Sequence, residues 1–183
     1  MTTQFYQAKV ALGFNNSSKS KFCELLIEAE SEQMASDLIN SYYNDVIAHP
    51  KKTVYKYSKE VDNYIPVEVD VDESDCYLIS ANIISIKESN IISFWGSTEE
   101  HIYILRLLVD FIYYKSSPYI AIGAKDFKEV VDIITEAFRD SRKMAMIFVS
   151  KKYIKNLTDY DYKNAYFDVT SLKKSDMIIL SCK

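Results

Sequence analysis

The fold is decided by residues 5–35: Phe5-Tyr6-Gln7-Ala8-Lys9-Val10-Ala11-Leu12-Gly13-Phe14, then Asn15-Asn16-Ser17-Ser18, then Lys21-Phe22-Cys23-Glu24-Leu25-Leu26-Ile27-Glu28-Ala29-Glu30, then Ser31-Glu32-Gln33-Met34-Ala35. Two apolar-rich runs flank a cluster of turn residues, which predicts an antiparallel hairpin. Ser31 is placed to cap a helix. Behind it Met34, Ala35, Leu38, Ile39, Tyr42, Tyr43 and Val46 recur on one helical face, and His49-Pro50 ends the pattern.

Outward from this stretch, Thr53–Ser58 alternates as a strand, with Val54 and either Tyr55 or Tyr57 inward. Val67, Val69 and Val71 alternate with Glu68, Asp70 and Asp72. Residues 77–86 and 91–95 read as further strands. Ser97 and Glu100 have capping-box spacing. They predict a helix to Lys115 that is apolar on more than one face, suited to burial between layers or to pairing two copies of the chain. Tyr119–Ile122 reads as a strand, Asp126 as the cap of an amphipathic helix through Phe138, and Met144–Val149 as a fully buried strand. Met177–Leu180 reads as the last strand. The expected class is α+β: a mostly antiparallel sheet with an N-terminal hairpin-helix unit and a C-terminal β-α-β portion. The division falls at 1–96 and 97–183, or the two portions share one core. A faint echo links the halves: Ile27, Ala29, Asp37, Ile39 and Asp45 align without gaps to Ile122, Ala124, Asp132, Ile134 and Asp140. Shared amphipathic patterning suffices to produce it; duplication is the alternative.

The 183 residues are 48% apolar and 26% charged, a globular composition that excludes general disorder. No window approaches the ~20 uncharged apolar residues of a membrane span, since Arg106 and Asp110 interrupt the most apolar stretch. The N-terminus lacks the charge and apolar pattern of a secretory signal. Only three glycines are present, widely separated, so phosphate-cradling glycine loops are not expected. Cys23, Cys76 and Cys182 are odd in number and form no C-x-x-C, which points to reduced thiols in a cytoplasm rather than to disulfides or zinc. His49 and His101, the only histidines, have no metal-site spacing. No catalytic residues, metal ligands or cofactor are assigned. Many Ile, Lys, Tyr and Asn, with few Gly, Pro and Arg, suggest an AT-rich genome.

Two charged segments stand out. Residues 60–75 hold seven carboxylates and no lysine or arginine, against a whole-chain charge of −4. On a strand, Glu68, Asp70 and Asp72 would share an outer face at roughly 7 Å intervals, comparable to the spacing of phosphates along a nucleic-acid strand. With Glu73 and Asp75 they form a candidate partner-binding surface. It would suit a protein with a basic nucleic-acid-binding groove; a solvated, aggregation-resistant edge is the plainer reading. Arg142, Lys143, Lys151, Lys152 and Lys155, with Tyr153 among them, are candidate nucleic-acid contacts, RNA included. The aromatic-acidic residues Asp159–Tyr162, Tyr166 and Phe167 read as a loop.

The hairpin-then-helix arrangement at residues 5–10 and 26–35 resembles one found in small phage and bacterial proteins. The compact, acidic, Tyr-rich character of the chain is similar to that of phage-encoded anti-CRISPR proteins, inhibitors that often use acidic surfaces to block nucleic-acid channels. The likeness carries no functional residue across. It implies a non-enzymatic binding protein, a phage or mobile-element inhibitor of a host nucleic-acid-handling defence enzyme such as an RNA-guided CRISPR nuclease. Such a protein would work in the host cytoplasm. The alternative is a metal-dependent nuclease with Asp70 and Asp72 as ligands and Lys51 or Lys52 holding phosphate. A third expectation is a homodimer formed through residues 97–115.

Overall fold

A computed structural model describes residues 3–98 and 101–181. In chain order the strands are β1 (Gln4–Phe14), β2 (Lys21–Ala29), β3 (Lys51–Ser58), β4 (Asn63–Asp70), β5 (Leu78–Glu88), β6 (Ile91–Gly96), β7 (His101–Asp110), β8 (Lys115–Ser116), β9 (Tyr119–Ala124), β10 (Tyr166–Ser175) and β11 (Ile178–Ser181). The helices are α1 (Glu32–Ala48), α2 (Phe127–Phe138), α3 (Ser141–Phe148), α4 (Lys151–Ile154) and α5 (Asp159–Lys163). The protein is α+β, with mostly antiparallel sheets and an N-terminal hairpin followed by a helix.

The chain forms two compact units. One runs from Tyr6 to Lys87 and takes in the chain from Leu180; the other runs from Glu88 to Ile179 and takes in the chain up to Phe5. The first contains a four-stranded sheet ordered β11-β2-β1-β5 and, apart from it, the two-stranded sheet β3-β4. Val10, Leu25, Ile27 and Ile39 are fully or almost fully buried at its core, against the α1 face carrying Ala35 and Tyr43. Ser31 caps α1 by accepting from Met34 N at 3.2 Å.

The second unit contains the sheet β10-β7-β9-β6, with β8 paired to β7. Here β7 is antiparallel to both β10 and β9, while β6 runs parallel to β9. Leu105, Leu107, Phe111, Ile120 and Ile122 are fully buried beneath α2 and α3. Asp126 caps α2 by accepting from Glu129 N at 2.9 Å.

Read from opposite ends, the two sheets have one topology. Each has a central strand pair, β1-β2 or β7-β9, and a helix after the second strand of that pair. The next sheet strand, β5 or β10, lies beside the first strand of the pair. The short strand that follows, β6 or β11, then joins the other sheet. The caps Ser31 and Asp126 stand 95 positions apart. Leu25, Leu26, Ile27, Ala29, Ala35 and Ile39 are buried, and so is each residue 95 positions later: Ile120, Ala121, Ile122, Ala124, Val130 and Ile134. The sequence echo is therefore an echo of chain path and of burial.

Three expectations are corrected. The described residues among 97–115 do not form a helix: His101–Asp110 is the strand β7, inside its sheet between β10 and β9. Tyr103, Leu105, Leu107, Val109 and Phe111 are buried at every second position, the period of a strand. The apolar residues between them are half-buried on the opposite face, which is why the segment looks apolar all round. The helical dimer interface goes with that helix, and Glu100 of its capping box lies outside the described residues. Second, Met144–Val149 falls mainly in α3, capped by Asp140, with Met144, Ala145 and Phe148 buried at helical spacing. The strand that completes the β-α-β portion is β10, parallel to β9 with β7 between them. Third, Asp159–Lys163 is a helical turn with a full capping box from Thr158 and Asp161, while Tyr166 and Phe167 open β10.

Cys23 is half-buried and Cys76 exposed; Cys182 lies outside the described residues. Among the described residues no helix is long and apolar enough to cross a membrane.

Candidate functional site

Between α1 and β5 the chain makes the β3-β4 ribbon. Its strands pair only with each other, from Lys51 opposite Asp70 to Ser58 opposite Asn63. Alternation assigns its two faces. Lys52, Val54, Ser58, Val67 and Val69 are half-buried on the inner face. On the outer face Lys51, Thr53, Tyr55 and Tyr57 stand opposite Asp70, Glu68, Pro66 and Tyr64, and all eight are exposed. Both tyrosines of β3 therefore point outward; neither accompanies Val54. The valines face inward as their alternation predicts, but they are only half-buried, because the ribbon belongs to neither large sheet.

The tip is a turn with Asp62 in the left-handed region at φ 48°, which a short polar side chain tolerates. The Tyr57 hydroxyl donates to the Asp62 carboxylate, a bond that raises the phenol pKa, with a smaller contribution from desolvation. Tyr57 and Tyr64 meet edge to face at 5.6 Å. Tyr55, Tyr57 and Tyr64 are 70%, 53% and 64% exposed, a run of aromatic surface that nothing in the ribbon covers.

At the base, cross-strand lysines engage the acidic residues. Lys51 pairs with Asp70. Lys52 reaches Asp75 at 2.6 Å and Asp72 at 3.3 Å. Asp75 also accepts from Asp72 N at 2.6 Å, closing the turn that follows β4. Hydrogen bonding to Lys51 holds the Asp70 carboxyl below the usual carboxylate range, and the Lys51 ammonium is raised in return. Asp75 is lowered chiefly by its bond from Lys52, which is itself raised chiefly by Asp75.

Of the five predicted partner-binding residues, Glu68 and Asp70 do share the outer face of one strand. Asp72 lies beyond β4, whose last residue is Asp70. Lys51 engages Asp70 and the single Lys52 is shared between Asp72 and Asp75, whereas Glu68 and Glu73 are exposed and form no ion pair among the described residues. Residues 51–75 hold four lysines against the seven carboxylates, so the ribbon keeps a net negative charge. The tyrosines are the part of this surface that the sequence reading missed. Their signal was the pattern Thr53-x-Tyr55-x-Tyr57, which puts both rings on the face opposite Val54.

Asp70 and Asp72, the ligands of the nuclease alternative, each face a lysine. Among the described residues no three or more His, Cys, Asp or Glu side chains are gathered to hold a metal ion. Lys51 and Lys52 are turned to carboxylates.

The predicted nucleic-acid contacts are divided between two helices. Arg142 pairs with Asp159 and lies 4.9 Å over the Tyr162 ring. Lys143 lies at the rim of an open groove of about 1030 Å³ between β6 and the α2-α3 pair. Trp95, Ile133 and Ile147 supply apolar parts of its wall. Of the groove's carboxylates, Asp126 and Asp140 cap helices, Glu129 accepts from Lys125 N and Glu136 pairs with Arg139, while Asp132 is exposed. Lys151 and Lys152 belong to α4, and Lys155 follows it.

Comparison of the chain with protein-family models, with curated proteins and with solved structures finds no match.

Proposed function

We propose that this chain is a non-enzymatic binding protein whose β3-β4 ribbon docks on a partner protein carrying a basic nucleic-acid-binding surface. The observation that carries this is the outer face of the ribbon, exposed at all eight positions, with three tyrosines toward its tip and Glu68, which forms no ion pair among the described residues, nearer its base. An isolated two-stranded ribbon is marginally stable in water, and exposed aromatic area on one is costly unless it is used. Tyrosine supplies large contact area at low entropic cost, which suits it to interfaces. The net negative charge would steer the ribbon toward a cationic surface. Within this reading, the particular partner we favour is a host nucleic-acid-handling defence enzyme, such as an RNA-guided nuclease. The chain would then be a phage or mobile-element inhibitor acting in the host cytoplasm.

The test is affinity capture from a low-GC bacterial lysate with three proteins: wild type, a Tyr55→Ser/Tyr57→Ser/Tyr64→Ser variant and a Glu68→Lys/Glu73→Lys variant. Glu68 and Glu73 are chosen because reversing Asp70, Asp72 or Asp75 would also break the ion pairs that hold the ribbon's base. A basic nucleic-acid-binding protein retained by wild type and lost by both variants, with retention falling as salt rises, supports the proposal. Equal capture by all three removes the ribbon from the interface.

A further inference from the structure

A second exposed aromatic surface lies in the other unit, at the turn between β7 and β8. Ile112 there has φ 58°, a left-handed conformation that is a genuine outlier for a β-branched residue. The turn is held in it from several sides. Ile112 N donates to Asp110 Oδ1 at 3.0 Å, Phe111 N donates to Tyr114 O at 2.9 Å, and Asp110 also pairs with Lys115 at 2.7 Å. Phe111 is fully buried as the anchor. The consequence is that Tyr113 stands 88% exposed at the tip. Backbone strain that the surroundings over-determine is characteristic of sites that bind.

The turn is joined to α4. Tyr114 donates its hydroxyl to Phe148 O at 2.8 Å and packs its ring 5.8 Å from that of Tyr153. Tyr153 is 47% exposed, with Lys152 Nζ 5.9 Å from its ring centre. Lys151 and Lys155 are four residues apart on the same short helix and its cap. Lys151, Lys152 and Lys155 are all exposed and form no ion pair among the described residues. The nearby carboxylates are already engaged, Asp110 by Lys115 and Asp159 by Arg142.

We propose that the β7-β8 turn and α4 together form a docking site for single-stranded nucleic acid. Tyr113 and Tyr153 offer ring faces on which bases stack, and Lys151, Lys152 and Lys155 contact phosphates. Uncompensated positive charge beside exposed rings complements a polyanion that itself carries aromatic faces. This revises the residue set expected from sequence: Arg142 is occupied by Asp159, Lys143 borders the groove beside α2, and the two tyrosines enter.

The experiment is fluorescence anisotropy of the full chain with labelled oligouridine RNA and oligothymidine DNA of about 12 nucleotides, a length within known site sizes. It is run at about 50 mM salt and upward, where phosphate-driven binding is strongest at the low end. Either single strand should bind, and a duplex of the same length more weakly. Tyr113→Ala and Tyr153→Ala should each lower affinity roughly 5- to 100-fold, the range expected for one lost base stack. Lys151→Gln/Lys152→Gln/Lys155→Gln should reduce the slope of log affinity against log salt by about 2. Tyr113 and the three lysines are exposed, so those variants should keep the wild-type melting temperature; it is measured for all, so that loss of the Tyr114–Tyr153 contact in Tyr153→Ala is told apart from loss of a stacking face. Absence of binding by wild type, or unchanged affinity in the tyrosine and lysine variants, overturns the proposal. So does loss of a captured protein by these variants while oligonucleotide affinity is unchanged, since the surface would then be a protein-docking site.

Discussion

The two sheet-and-helix units differ most where each interrupts the shared chain path. After α1 the first inserts a β-ribbon; after α2 the second inserts three short helices, α3 to α5. Residues 49–77 hold seven carboxylates and four lysines, whereas residues 139–165 hold seven basic side chains and three carboxylates. Both insertions leave tyrosines exposed. The common part buries leucine and isoleucine, while each insertion is dense in charge and leaves rings uncovered, as the β7-β8 turn also does with Tyr113. A shared scaffold with divergent insertions is the usual arrangement when binding surfaces are mounted on a rigid framework. Here it assigns surfaces of opposite sign to the two halves.

The comparison should break most severely at a glycine pair present in one unit only. A Cβ on Gly123 would lie 1.7 Å from Ser97 O, and one on Gly96, whose φ is +87°, would lie 2.0 Å from Gly123 O. The residue 95 positions before Gly123 is Glu28, which carries a side chain at the matching place in β2. Gly123→Ala should therefore cost more than the ~1–3 kcal/mol typical of overpacking, because the obstacle is backbone and not a movable side chain. Denaturant unfolding should show a protein near or below the threshold of folding.

Equivalent core positions should instead behave alike. Ile27 and Ile122 are both fully buried at matched places in β2 and β9. Ile27→Ala and Ile122→Ala should each cost ~2–5 kcal/mol, with hydrogen-exchange protection lost first in the sheet that carries the substitution. Values differing by more than that range would show that the two cores are not equivalent despite their common path. A smaller effect is expected at the caps: Ser31→Ala and Asp126→Ala should each cost ~1 kcal/mol, read as matched falls in melting temperature.

The hairpin-helix unit was legible because three local signals agree in it. The strand runs flank Asn15-Asn16-Ser17-Ser18, Ser31 caps, and the apolar face of α1 has a clean helical period. Residues 101–110 gave no such agreement. Both faces of β7 are at least partly covered, which erases the alternation that identifies a strand. Residues 144–149 misled in the opposite sense, since a six-residue apolar run fits a buried strand or a short helix equally well, and the deciding feature was the Asp140 cap upstream. At the ribbon, the common face of Glu68 and Asp70 followed from alternation alone. The lysines that neutralise Asp70 and Asp75 could not be found without register, because Lys51 and Lys52 lie 19 and 23 positions away from them.

Those ion pairs provide the mildest way to separate the two insertions. Asp70 and Asp75 have pKa values lowered in the folded ribbon by Lys51 and Lys52. Their contribution is thus complete above the ordinary carboxylate pKa of about 3.9 and is lost as pH falls through the lowered folded values. Lys51 and Lys52 are raised, so their contribution is complete below the ordinary lysine pKa of about 10.4 and fades only above it. The ribbon's order should therefore be level through neutral pH and loosen at both extremes. Salt screens the exposed Lys51–Asp70 pair, while Lys52 and Asp75 are part-buried at the ribbon's base, so the change should be small. Amide exchange at Val54 and Val67, followed by nuclear magnetic resonance from neutral pH into acid and corrected for intrinsic rates, would read it directly. Protection there should fall before protection at Ile120 in the other unit's sheet. If Val54 and Val67 kept their protection below the lowered carboxylate values, cross-strand charge would not be what holds the ribbon's base. Its inner valines would then be the dominant contribution.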